Sequence, residues 1–234
     1  MIKPVQLLFA LTLILFSGCK RELSDLEFEK NVMTEIFPNL VDSICFDSRA
    51  ILSPPPLLGK VIYDKDGNYA GRDTTIVTVE QRQKLIEWKK RQIAIENDTA
   101  KIIVAFDPVI KRNTTDVEED FENHFEGEKI FNPKKETDST YVLDFESIKL
   151  KNRIKLKNIS EFPKDKHAFW KTKYNFNFSG VVYFSGIQFD QNKKFGILDA
   201  GFMCARLFGN GFRIYIKKMN DKWIIDSIEE TWIS

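Results

Sequence analysis

The chain has 234 residues, 43% hydrophobic and 29% charged, and its 35 Lys and Arg nearly cancel its 34 Asp and Glu, for a net charge of +1. That balance gives no electrostatic reason to expect nucleic acid or an acidic substrate as partner. The length suits one sizeable core, and 20 Phe residues point to a core of rings carried largely on strands.

Met1 to Lys3 give a positive start, Val5 to Phe16 an apolar run, and Ser17-Gly18-Cys19 a small-residue ending. This is the order of a secretory signal. The run has 12 residues, short of the roughly 20 that a membrane-spanning helix needs. The ending resembles the bacterial lipobox, with Leu15 one place early. The resemblance implies cleavage before Cys19 and acylation of its thiol. At about 0.8 kcal/mol per buried CH₂, two or three acyl chains hold a protein firmly to a membrane. The expected organisation is a lipoprotein signal peptide over 1–18, a lipid-anchored tether over 19–27, and one domain over 28–234. The expected location is the bacterial cell envelope, at the outer membrane. In Bacteroidota lipoproteins a Lys followed by acidic residues resembles a surface-export signal. Here Cys19 is followed by Lys20, Arg21 and Glu22, and Arg21 leaves the periplasmic and surface-facing sides both open.

Phe28, Val32 and Ile36 fall on one helical face, with Pro38 expected to interrupt the helix. Ser53-Pro54-Pro55-Pro56 reads as a stiff extended linker. Asp66-Gly67 between Val61-Ile62-Tyr63 and Asn68-Tyr69-Ala70 predicts a hairpin. The clearest helix is Val79–Glu96. Thr78 and Gln81 fit a capping box. One stripe (Val79, Ile86, Ile93) and a second, nearly opposite (Leu85, Trp88, Ile95), suggest packing between layers or against a partner. Lys101 to Ile110 reads as a buried strand ending near Pro108. Lys111 to Thr140 is polar, with a short helix suggested by Phe121 and Phe125. Alternation between Tyr141 and Leu156 suggests further strands.

From Tyr174 onward four strands follow each other, about 174–189, 194–208, 212–219 and 222–233, as an antiparallel meander. Asp190-Gln191-Asn192-Lys193, Gly209-Asn210-Gly211 and Asn220-Asp221 are the expected turns. Pairing Phe189 with Phe195, Phe208 with Phe212, and Met219 with Lys222 sets Val182 opposite Phe202, Cys204 opposite Ile216, and Ile216 opposite Ile225. One face then collects Phe176, Phe178, Val182, Phe184, Leu198, Phe202, Cys204, Phe208, Phe212, Ile214, Ile216, Trp223 and Ile225. Arg206 falls on that face and does not suit it. The other face is mixed: Tyr183, Ser185, Ile187, Asp199, Met203, Arg213, Tyr215, Asp226, Ile228 and Trp232. Carboxylates, an arginine and aromatics on one sheet face make a candidate binding surface, with Asp199, Arg213, Tyr215 and Asp226 as its polar members.

His124 and His167 lie in no metal-ligand spacing, and no cysteine pair accompanies them. No metal or cofactor is expected. Cys45 and Cys204 read as two free thiols rather than a bridge closing a long loop.

The segments Phe37-Pro38-Asn39-Leu40-Val41-Asp42-Ser43, Ser179-Gly180-Val181, Ile187-Gln188-Phe189-Asp190, Gly211-Phe212-Arg213, Lys222-Trp223-Ile224-Ile225-Asp226 and Thr231-Trp232-Ile233-Ser234 resemble a family of Bacteroidota lipoproteins. The resemblance implies an exported, lipid-anchored protein and carries no activity or catalytic residue with it. The expectation is an α+β protein with N-terminal helices, one long helix near 79–96 and a C-terminal four-stranded antiparallel meander. The membrane is a partner through the lipid, and a small molecule or a protein is bound without catalysis. The alternatives are an envelope hydrolase built on a carboxylate such as Asp199, and an assembly factor docking through the Val79–Glu96 helix.

Overall fold

The computed structural model describes residues 24–51, 53–56, 58–131 and 140–234. The signal segment and Cys19 lie outside the described residues. Among those described, no helix is long and apolar enough to cross a membrane.

The fold is α+β, with a long N-terminal helix and a mixed sheet that ends in an antiparallel meander. The helix α1 runs Asp25–Ile44. Ser24 caps it: the Ser24 hydroxyl accepts from the Glu27 N–H, and the Glu27 carboxylate accepts from the Ser24 N–H. Helix therefore begins three residues before Phe28, and Asp25 to Glu27 of the expected tether form its first turn. The helix also runs through Pro38 instead of stopping there. Val32, Met33, Ile36, Phe37, Leu40, Val41 and Ile44 are all buried on one stripe. At about 1.5–3 kcal/mol each, these outweigh the roughly 3 kcal/mol that an internal proline costs.

The stripe packs on the inner face of a seven-stranded sheet. After a short 3₁₀ turn at Ser48–Ile51 come the hairpin β1 (Lys60–Tyr63) and β2 (Tyr69–Asp73), then the helix α2 (Val79–Glu96). The sheet is built from β3 (Ile102–Phe106), β6 (Ile154–Asn158), β7 (Asn177–Phe184), β8 (Gln188–Phe189), β9 (Phe195–Ala205), β10 (Phe208–Met219) and β11 (Lys222–Ile233). Its order is β11-β10-β9-β7-β3-β6, with β8 also on β9. β3 lies parallel to both β6 and β7, so the meander continues into a parallel edge. β4 (Val109–Ile110) and β5 (Tyr141–Val142) form a separate short pair. Two short helices, α3 (Glu118–His124) and α4 (Lys166–Lys171), complete the fold. The Phe37 ring meets Phe106 of β3 and Phe184 of β7 at centroid distances of 5.3 and 5.6 Å.

Met219 pairs with Lys222 and Ile216 with Ile225, as expected, and Val182 pairs with Phe202; at the β8–β9 turn, however, Phe189 stands opposite Gly196 and not Phe195. The β9–β10 hairpin differs. Its turn is Arg206-Leu207, and Gly209-Asn210-Gly211 lies within β10. Arg206 thereby leaves the core face, and Ile216 stands opposite Gly196, not Cys204. The partner is displaced by eight positions along β9. An even displacement keeps every side chain on its face, so Leu198, Phe202, Ile214 and Ile216 are still inward.

Bulges move other residues across the sheet. Ser179 is an extra residue between the Phe178 and Gly180 pairings with β3. Its hydroxyl turns inward, accepts from the Ser48 N–H and donates to the Phe46 carbonyl, both at 2.7 Å. Phe176 and Phe178 are thrown to the outer face, where they pack with Phe162, Phe169 and Tyr174 under α4. Asp226 is extra in β11 between the Ile225 and Ser227 pairings, which turns Ile228 inward, against expectation. Ile187 also joins the main core, because the strand breaks between β7 and β8. Phe208 is exposed beside the new turn. Cys45 is buried, Cys204 half-buried, and both are free thiols.

Candidate functional site

The outer face of β7, β9, β10 and β11 is laid out in rows across the strands. The first is Tyr183–Gly201–Gly211–Trp232. The second carries Ser185, Asp199, Arg213 and Glu229: Arg213 pairs with both Asp199 and Glu229, and the Ser185 N–H donates to the Asp199 carbonyl. The third holds Ile197, Tyr215 and Ser227.

The segment after β4 crosses this face. Lys111 bridges to Ser185, and its carbonyl accepts from the Gly186 N–H at 2.6 Å. Val117, Phe121 and Phe125 then seal the third row over Ile197 and Tyr215. Tyr183, Ser185, Asp199 and Arg213 of rows one and two form the floor of a cleft of about 540 Å³, with Gly201 and Gly211 buried beneath the Tyr183 and Trp232 rings. Lys111, Arg112, Asn113, Thr114 and Thr115 make one wall; Thr231 and Trp232 belong to the other.

Asp199 and Arg213 meet on the floor. Arg213 Nε is 3.0 Å from Asp199 Oδ1, and its Nη1 also reaches Asp120 of α3. The Asn113 amide donates to Asp199 Oδ2 at 3.2 Å, and the Asp199 N–H donates to Ser185 Oγ at 2.9 Å. Burial pushes the Asp199 carboxyl above its ordinary range, opposed by hydrogen bonds from Asn113 and Thr115. Asn113 itself is buried and accepts from the Thr115 N–H at 3.0 Å. A planar carboxylate, guanidinium and amide are thus fixed against one another on a rigid sheet, which is the preorganisation that a binding site needs.

The other two expected members lie elsewhere. Tyr215 is only 2% exposed, covered by α3, with the His124 ring stacked on it at 3.8 Å and 15°. Its hydroxyl donates to Glu229 at 3.3 Å, and burial beside that carboxylate pushes it up to about 12. Asp226 is tied to Lys217 at 2.6 Å and to His124 at 3.0 Å. The Lys217 ammonium, ahead of His124, holds the Asp226 carboxyl below its ordinary range. These two residues fix α3 to the sheet and do not line the cleft. Sequence reasoning missed Asn113, Thr115 and the two glycines. An Asn-Thr-Thr run beside a strand end was the available cue, and only the fold brings it over Asp199.

A second groove, about 510 Å³, follows the edge strand β6 and is lined by Phe145, Ile148, Leu150, Leu156 and several lysines. No carboxylate–guanidinium pair converges there among the described residues. Among the described residues, no group of three or more His, Cys, Asp or Glu side chains is placed to hold a metal ion. No protein-family model matches the chain, and no curated protein and no solved structure matches it.

Proposed function

We propose that this is a lipid-anchored protein of the bacterial cell envelope that binds a ligand, without chemistry, in the cleft over Asp199 and Arg213. The observation that carries the binding reading is the convergence of these two side chains on the floor of that cleft, with Asn113 reaching Asp199 from the wall. Both Asp199 oxygens are engaged, and Arg213 is held between two carboxylates. Such a pair suits recognition better than nucleophilic or proton-transfer work, which needs a group free to change its bonding.

The anchor rests on Ser17-Gly18-Cys19. Four residues separate Cys19 from the helix cap Ser24, a reach of at most about 18 Å at roughly 3.3–3.6 Å per residue. The start of α1 is fastened to the β8–β9 turn by Asp25 and Lys193, 2.7 Å apart. Asp199 and Gly201 lie four and six residues beyond Phe195 along β9, about 13–20 Å from that turn. The start of α1 and the cleft are therefore separated along the sheet by about that distance.

Two measurements test this. Replacing Cys19 with Ser should move the full-length protein from the membrane fraction to the soluble one; retention in the membrane would overturn the anchor. Ligand-observed NMR on the full-length protein in detergent, against a panel of small polar molecules, should find compounds whose signal disappears with Arg213→Ala. A panel in which no binder depends on Arg213 or Asp199 would overturn the cleft as the binding site.

A further inference from the structure

We infer that the ligand of this cleft is a neutral oligosaccharide, laid across the Tyr183–Gly201–Gly211–Trp232 row; the inference rests on the cleft being the binding site. The two glycines are cross-strand partners. A Cβ at Gly201 would collide with the hydroxyl end of Tyr183, and one at Gly211 with the indole of Trp232. Each ring therefore leans inward over a glycine, and the pair of glycines lets the rings settle low on the sheet. Yet Tyr183 is 42% exposed and Trp232 39%. A ring that served only to cover a glycine would have no need of a cleft on its open side. From β7 to β11 the row crosses three strand gaps, about 14 Å at roughly 4.8 Å each. That is a platform for an extended ligand of several linked rings.

The polar chemistry selects among such ligands. Arg213 is matched by Asp199 and Asp120. Across the cleft the three basic side chains Lys111, Arg112 and Arg213 face the three acidic ones Asp107, Asp120 and Asp199, so no net charge draws a phosphate or a carboxylate. The floor does present hydrogen-bonding capacity at fixed positions. A guanidinium has five N–H donors, and the two carboxylates take one each. Thr114 and Thr115 are exposed on the wall, and hydroxyls both donate and accept. A pyranose matches both features. The weakly positive C–H groups of its face rest on the electron-rich face of Tyr or Trp. Its hydroxyls, at the ring edge, exchange hydrogen bonds with planar polar groups.

The test is isothermal titration calorimetry on the full-length protein in a zwitterionic detergent, because a glucoside detergent would compete. The probes are cellohexaose, maltohexaose, xylohexaose and mannohexaose, with inorganic phosphate and benzoate beside them. At least one hexasaccharide should bind with Kd on the order of 10 µM to 1 mM. Trp232→Ala and Tyr183→Ala should each weaken it at least tenfold, and Val79→Ser on α2 should leave it unchanged. Where an alanine variant unfolds, Trp232→Phe and Tyr183→Phe keep a ring over the glycine. The first should still weaken binding, and the second should stay within about threefold of the parent. Binding of phosphate or benzoate lost with Arg213→Ala, with no hexasaccharide bound, would overturn the sugar and leave the cleft standing. Hexasaccharide binding indifferent to both rings would overturn the platform. No binding by any probe would overturn the sugar, and the cleft reading would then rest on the NMR panel alone.

Discussion

Two helices of similar length are treated in opposite ways by this fold. α1 has 20 residues and buries seven; α2 has 18 and buries one, Ile95. Both start with a complete capping box. α1 is also fastened by two of its carboxylates, Glu29 accepting from the Ile187 N–H and Glu35 from the Trp223 N–H, each at 3.0 Å. On α2 the Leu85, Trp88, Ile95 stripe is the one turned toward the protein. The Val79, Ile86, Ile93 stripe is exposed, as are Ile62, Tyr63 and Tyr69 of the neighbouring hairpin. α1 is thus held by tertiary packing. α2 is held mostly by itself, through its cap, the Lys84–Glu80 pair at 2.6 Å and the Gln83–Glu87 hydrogen bond at 2.9 Å. Clear local signals make a helix easy to find in a sequence; they do not make it central to the fold.

The largest expected effect breaks the comparison directly. Phe37→Ala on α1 removes a ring in contact with Phe106 and Phe184 and should cost about 3–5 kcal/mol. Ile86→Ala on the exposed stripe of α2 should stay within about 0.5 kcal/mol. Urea unfolding of the full chain, followed by circular dichroism, measures both. Equal losses at the two sites would mean that α2 is packed as firmly as α1.

The same contrast explains what was legible in the sequence. The bounds of α2 followed from Thr78, Gln81 and the charge pairs. The last hairpin followed from Asn220-Asp221, both with positive φ, as a tight two-residue turn requires. Where a local cue competed with packing, it misled. Pro38 was overruled by seven buried neighbours. Gly209 and Gly211 looked like a turn and are strand residues, and Gly211 makes room for Trp232. The inner face was legible because face assignment survives any even register shift. The outer face was legible for Tyr183, Ser185, Asp199, Arg213, Tyr215 and Trp232, which lie on it as expected. The Ser179 and Asp226 bulges reverse the alternation beside them and move Phe176, Phe178 and Ile228 across the sheet. Of the four polar residues expected there, Asp199 and Arg213 lie before the β11 bulge and share the cleft. Asp226 is the bulge itself, and Tyr215 was lost to a covering segment, 111–131, whose path no periodicity announces.

A second way to sharpen the comparison is pH. Glu29 of α1 is pushed from 4.5 up to about 7 by burial, against the Ile187 N–H, the Tyr141 hydroxyl and Arg112. Gly186 leaves it room, since a Cβ there would fall 2.7 Å from Glu29 Oε1. Because the folded value lies above the unfolded one, the folded state binds the extra proton between them. The stability Glu29 contributes is fully present below about pH 4.5, falls as the pH rises to 7, and is flat above. After allowance for partial exposure the loss is about 1–3 kcal/mol. Glu29→Gln should therefore match the parent near pH 4.5 and exceed its stability by that amount at pH 8. A constant difference between the two pH values would remove Glu29 as the source of the slope. α2 has no carboxylate buried against the sheet, so no α2 counterpart is expected.

The smallest effect distinguishes the helices by how far a local injury spreads. Ser24→Ala and Thr78→Ala each remove an N-cap worth about 0.5–2 kcal/mol. On α1 the damage should stop within the first turn, because the residues beyond it are pinned in the core. Amide exchange at Glu27 and Phe28 should quicken, while exchange at Phe37 to Val41 should not. On α2 the cap is a large part of what holds the helix. An uncapped helix of this length is marginal in water, so it should open as a unit. Exchange from Gln81 through Ile93 should then quicken together, by about tenfold for each 1.4 kcal/mol lost. Fraying confined to the first turn of α2 would show that Leu85, Trp88 and Ile95 bind it to the domain more tightly than their burial implies, and the two helices would be more alike than their exposure suggests.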